Sequence, residues 1–323
     1  MTGMQSPGYN DLYDYADYCV RDGRHEEALA LYEKLLEMNP GNDSLLFSIA
    51  WVYRDMGNTD KALEWLERLL ERELARNVFT GFAYDELVKT YREMCEYGKL
   101  VHLCERAAEV YPDETALLAT LGDACLRSGK HERAFQVFST LVEMEADMPL
   151  YHLNKGVAAV GIGRYETAEQ ACAEAVRLEP GDGPMVYDRI ADAYEEAGRW
   201  DRAEASRGRS IDADRDNPLY RCSLGDLYLR QGKIEDARNV YDEACVIDPS
   251  SRGAFRNRLA NMMLREGLVR EAIGEFERAV SADPHNPFYY LSLIVCCEQV
   301  GDEDRAARFR DRGRREGVLP DDS

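Results

Sequence analysis

Five histidines, nine cysteines and 61 acidic residues are the groups in this 323-residue chain that could carry chemistry. Their spacing argues against it. His25, His102, His131, His152 and His285 are dispersed, and none pairs with a cysteine or glutamate at metal-ligand spacing. The cysteine count is odd and no C-x-x-C pair occurs, which disfavours both a disulfide framework and a thiolate site. Cys19, Cys125 and Cys297 share one recurring position, and Cys104 and Cys172 another, as small buried hydrophobes would. There is no G-x-x-x-x-G-K-[ST] phosphate loop and no G-x-S-x-G elbow. Neighbouring carboxylates are plentiful, but so many acids in one chain are expected to form a solvated face. No enzymatic activity, cofactor or metal is expected.

Charge narrows the partners. A formal net charge of −21 disfavours general affinity for nucleic acid or anionic membrane. The opening residues carry no basic-then-apolar leader, and no window approaches the ~18 apolar residues of a membrane span. A cytoplasmic location is expected. The segment "RAARFRDRGRR" at 305–315 holds six arginines. RNA binding there is a third alternative; the simpler expectation is a polar outer face on a terminal helix.

The regular spacing belongs to the small residues. Glycines recur at 23, 57, 129, 163, 198, 232, 267 and 301, and an alanine follows each by five residues. Seven residues before each glycine stands a small or medium residue, such as Ala16, Gly156 and Gly225. Several units end in proline, among them Pro40, Pro112, Pro180, Pro249 and Pro284. Outside one gap the period is 34 or 35 residues. The spacing predicts two antiparallel helices per unit. Glycine permits the tight turn between them, and alanine lets them cross closely. One hairpin cannot bury its own apolar face, so the copies must stack.

This pattern resembles the tetratricopeptide repeat, W-x2-L-G-x2-Y…A-x3-F…P. "LYRCSLGDLYLRQGKIEDARNVYDEACVIDP" at 219–249 and "LLATLGDACLRSGKHERAFQVFSTL" at 117–141 carry it best. The resemblance implies an all-α solenoid of about nine helix-turn-helix repeats in a right-handed superhelix. With the glycine as position 15, repeats begin near 9, 43, 81, 115, 149, 184, 218, 253 and 287. A single solenoid over 9–320 is expected, with tails at 1–8 and 321–323. The second step spans 38 residues, four more than 34 and about one helical turn, which predicts a second helix reaching about Arg76. In the third unit Leu100 replaces the close-packing alanine and Cys95 stands where glycine is usual. Arg207 and Arg310 replace the usual aromatic at position 24, which suggests thinner packing in repeats 6 and 9.

Positions 5, 9 and 12 fall on one helical stripe, and the resemblance implies that this stripe faces a partner. Its candidates are Tyr13 in repeat 1; Phe47, Trp51 and Arg54 in repeat 2; and Lys89 and Arg92 in repeat 3. Further along come the acidic Asp188, Asp192 and Glu195, then Asp226, and then Asn257 with Asn261. Aromatic and arginine side chains are common interface anchors. Trp51 has two readings, groove anchor or packing between repeats. The Lys-x3-Asn carboxylate clamp of some family members is absent. The expected function is a non-enzymatic adaptor holding a partner protein or peptide. The aromatic-basic end would take an acidic or apolar anchor, and the acidic middle a basic stretch. The alternative is a structural subunit that associates with itself through its ends.

Overall fold

A computed structural model describes residues 8–320; the expected 321–323 tail and residues 1–7 of the other lie outside it. The described residues form eighteen α-helices and no strand. Each first helix is followed by a second. The first pairs are α1 (Tyr9–Arg21) with α2 (His25–Met38), and α3 (Asp43–Asp55) with α4 (Thr59–Ala75). Next come α5 (Phe82–Glu93) with α6 (Tyr97–Val110), and α7 (Thr115–Arg127) with α8 (His131–Met144). Then follow α9 (Pro149–Gly161) with α10 (Tyr165–Leu178), and α11 (Gly183–Glu196) with α12 (Trp200–Ala213). The last are α13 (Pro218–Arg230) with α14 (Ile234–Ile247), α15 (Arg252–Arg265) with α16 (Val269–Ala282), and α17 (Pro287–Gln299) with α18 (Glu303–Arg315). No helix among the described residues is long and apolar enough to cross a membrane.

The chain divides into two compact units, with the boundary between Val137 and Phe138. In the first unit every helix from α1 to α7 packs on the next. The second unit repeats this from α9 to α18, and α11 also lies against α9 and α15 against α13.

Local chemistry sets the turns. After α1 the Gly23 backbone is left-handed at φ +76°, and the Arg24 N–H returns to the Cys19 carbonyl at 2.8 Å. That satisfies a helix-end acceptor that would otherwise be orphaned. In the third hairpin the same turn is made by Cys95 at φ +56°, a conformation costly for a residue with a Cβ. Close crossing is clearest at Gly225, where an added Cβ would lie 2.6 Å from the Tyr241 ring. Ala28, Ala62, Ala134, Ala168, Ala203, Ala237, Ala272 and Ala306 are all buried, and so is Leu100 in their place.

The irregular step lies in α4, which runs 17 residues where α2 and α6 run 14. Its added turn places Arg76 2.7 Å from Asp43 and buries Glu73. The loop that follows is pinned by Thr80, which donates to Glu73, and by Phe79, whose ring meets those of Tyr84 and Tyr111. Gly81 at φ +83° then admits α5.

Candidate functional site

An aromatic cluster in the first unit begins on α3. Phe47 and Trp51, one turn apart, are both half-buried and stack with centroids 5.4 Å apart. Phe82, the first residue of α5 after the irregular loop, is 68% exposed and lies 6.3 Å from Phe47. The Arg54 guanidinium sits 3.7 Å from the Trp51 ring centre and reaches Glu86 at 2.6 Å. Stacking on the ring holds a cation that is only weakly hydrated, and Glu86 engages its edge. Trp51 lines a cleft of about 160 Å³ together with the apolar Ala50, Leu63 and Leu66 and the carboxylates of Glu86 and Glu93. Its rim carries Lys89, whose ammonium has no carboxylate partner among the described residues. Trp51 is half-buried and lines that cleft. Arg92 is exposed and 3.7 Å from Asp123. Tyr13 is half-buried with its ring against Tyr32 at 5.9 Å.

The acidic stripe of repeat 6 differs from expectation. Arg207 is not a site of thinner packing: it is 4% exposed and its guanidinium fills the space between α11 and α12. It donates to Asp188, to Asp192 at 2.6 Å and to Glu195 at 2.6 Å, and Arg230 of α13 also meets Glu195. Burial opposes the charge on Arg207, but Asp188, Glu195 and Asp192 outweigh it and hold the guanidinium above its ordinary pKa. These carboxylates are therefore counter-charges to an internal cation.

Two other position-9 acids, Asp226 and Asp17, are used in the same way. Asp226 is buried, accepting from the Tyr241 hydroxyl at 2.5 Å and from Arg258 at 2.7 Å. Burial, then the Asp226 carboxylate, pushes the Tyr241 phenol far above its usual range. Asp17 accepts from Tyr32 likewise. Asn261 donates to the Asn257 carbonyl of its own helix at 2.8 Å. In α18, Arg305 pairs with Glu277, Arg310 with Glu298 and Arg314 with Asp311, which consumes half of the arginine run.

Two features escaped the residue pattern. Phe82 stands at position 2, off the stripe of positions 5, 9 and 12. On α17, Phe288, Leu291 and Val295 form an exposed apolar stripe. Their i, i+3, i+7 spacing was the available signal. Eight cysteines are buried and Cys95 is exposed. Burial pushes the thiol of Cys104 up to about 11 and that of Cys172 up to about 12. Among the described residues no group of three His, Cys, Asp or Glu side chains is placed to hold a metal.

Comparison with known proteins agrees with this architecture. The chain is 24% identical over 251 residues to the TPR repeat-containing protein YpiA of Bacillus subtilis, covering 76% of this chain and 57% of that one. It is 22% identical over 228 residues to the TPR repeat-containing protein MJ1428 of Methanocaldococcus jannaschii, covering 70% and 36%. The chain thus spans little more than half of one relative and about a third of the other. A solved structure of Naa15/Naa10 bound to HypK-THB superposes with a TM-score of 0.52 at 16% identity, covering 97% of this chain and 59% of that one; this likeness concerns the fold. Sequence profiles of the tetratricopeptide repeat match residues 20–77, 120–183 and 189–252, together more than half of the chain. With eighteen helices in first-and-second pairs and glycine turns at the repeat period, the chain belongs to the tetratricopeptide repeat family, whose members generally mediate protein–protein interaction or scaffolding.

Proposed function

We propose that this protein is a non-enzymatic adaptor that holds a segment of a partner protein on the first-helix face of its first unit. The observation that carries the reading is the Phe47–Trp51–Phe82 cluster beside Lys89. The exposed Phe82 with the half-buried Phe47 and Trp51, beside a partly apolar cleft, offers a large area to an apolar side chain at low entropic cost. Lys89, without a carboxylate partner among the described residues, favours a carboxylate next to that side chain. The ligand is therefore a short apolar-acidic peptide segment. The stripe of Asp188, Asp192 and Glu195 is left out of this reading, because each of the three carboxylates already pairs with the Arg207 guanidinium.

A peptide array graded in apolar and acidic content tests the reading. The 323-residue chain should retain peptides that combine both. Trp51→Ala should weaken that retention about tenfold or more, the effect of losing an interface anchor. Lys89→Glu should select against the acidic members specifically. Equal retention by wild type and Trp51→Ala contradicts the proposal.

A further inference from the structure

Position 29, near the end of each second helix, is exposed throughout the described residues. It is charged in seven units, as Glu37, Glu71, Glu109, Glu143, Arg177, Asp212 and Arg315. On α14 and α16 it is Val246 and Ser281 instead, and Val246 is 75% exposed. Both line one cleft of about 800 Å³ in the second unit, walled by those two helices and the first turns of α15. Gly274 of α16 lines it too, inside a helix, where glycine is destabilising. A Cβ at 274 would meet nothing within 4 Å, so no contact within the chain calls for the glycine. It leaves room for another backbone to come close.

The arginines of this cleft are short of acids. Glu275, almost fully buried, is shared by three guanidiniums: Arg238 and Arg256 at 3.1 Å and Arg278 at 3.0 Å. Arg238 and Arg256 each have a second carboxylate, in Glu235 and Asp242. Arg278 has no other among the described residues, and its side chain is 56% exposed. Arg252, exposed at the start of α15, has no carboxylate partner among the described residues at all. Both acids in the lining are already engaged, Asp242 by Arg256 and Glu277 by Arg305 at 2.7 Å. With Val246 and Ser281 where most units hold an acid, Arg252 and Arg278 line the cleft under-compensated, in a chain of net charge −21.

We propose that this cleft is a second binding surface, and that it takes an acidic segment of a partner protein. Aspartate or glutamate side chains would pair with Arg252 and Arg278, whose planar guanidiniums can each meet two carboxylate oxygens. The segment's backbone would pass over Gly274. A mostly polar lining lacks the apolar walls that enclose a small ligand. A peptide can also set its carboxylates at the two arginines and uncharged residues beside Asp242 and Glu277. A nucleic acid, with a phosphate at every nucleotide, cannot. No aromatic side chain lines the cleft, so the segment needs no large apolar anchor, unlike the one proposed for the first unit. The inference uses neither Trp51 nor Lys89 and stands or falls apart from that reading.

Fluorescence anisotropy of a labelled peptide of alternating glutamate and glycine, titrated with the 323-residue chain, is the test. Wild type should bind it, and more weakly as salt is added. Arg252→Glu and Val246→Glu each change an exposed residue, the second to the type that other units hold there. Circular dichroism checks that both fold as wild type does. Each should weaken binding about fivefold or more, since it sets a like charge in the place of a favourable or neutral contact. Both chains should still retain the apolar-acidic peptides of the array as wild type does, so that failure of one reading leaves the other standing. A wild type that does not bind the alternating peptide overturns the proposal. So does binding that either variant preserves, a loss that extends to the array peptides, or a single-stranded oligonucleotide held more tightly than the peptide.

Discussion

Arg207 fixes how the acidic residues on the first helices are to be understood. The side chain at position 24 of a hairpin reaches back to its own first helix, and its type dictates what must wait there. Tyrosine finds an aspartate fifteen residues earlier, as in Tyr32 with Asp17 and Tyr241 with Asp226. Arginine finds a glutamate twelve residues earlier, as in Arg207 with Glu195 and Arg310 with Glu298. Removing one member of a buried charge cluster costs about 3–5 kcal/mol because the rest is left uncompensated. Arg207→Ala should lower the urea midpoint accordingly. Arg207→Tyr should recover part of the loss by restoring a donor to Asp192. An unchanged midpoint for Arg207→Ala would mean that the carboxylates are solvated rather than held.

Glu73 presents the opposite case, a buried carboxyl with one oxygen on Thr80 and the other without a partner. Burial raises its pKa, only partly offset by the Thr80 hydroxyl. A carboxyl whose folded pKa lies above its unfolded value disfavours the fold once ionised. The stability is complete below the unfolded pKa and is lost as pH rises through the folded one. Acidification from pH 7 should therefore stabilise the α4–α5 loop. In Glu73→Gln that pH dependence should vanish, with a Tm at pH 7 raised by about 2 °C. Thermal scans across pH check both, and an undiminished pH dependence in the variant would locate the effect elsewhere.

At the scale of elements, the third hairpin carries the most local strain. Its turn needs a left-handed residue, and Cys95 supplies one at φ +56° where the other hairpins use glycine. Cys95→Gly should stabilise the chain by about 0.5–1 kcal/mol, the relief of the left-handed penalty less glycine's entropy in the unfolded state. Urea unfolding measures it, and a loss of stability would show that the thiol makes a contact worth more than the strain. The helix pairs were legible because glycine and alanine answer to backbone geometry, which leaves little choice of residue. The use of the first-helix stripe was less legible. Asp188 and Asp192 look like ligand carboxylates until Arg207, nineteen and fifteen residues away, is seen to turn back onto them. Phe82 was hidden for a related reason, since its place beside Phe47 depends on the irregular loop and on Gly81.

At the scale of the whole molecule, composition and local surface point in different directions. A net charge of −21 says that the protein as a whole repels acidic partners. Yet much of its arginine is committed to internal acids, and the first-unit face keeps a cation without a partner beside exposed aromatics. Ligand choice is then set by that face, within about one Debye length (~8 Å) of Lys89. Hydrogen exchange of the intact chain, with and without the best-retained apolar-acidic peptide, tests this most directly. Protection should appear on α3 around 47–54 and on α5 around 82–92, and should be lost in Trp51→Ala. Protection confined to α11, α13 or α17, with α3 and α5 exchanging as in the free protein, would contradict it.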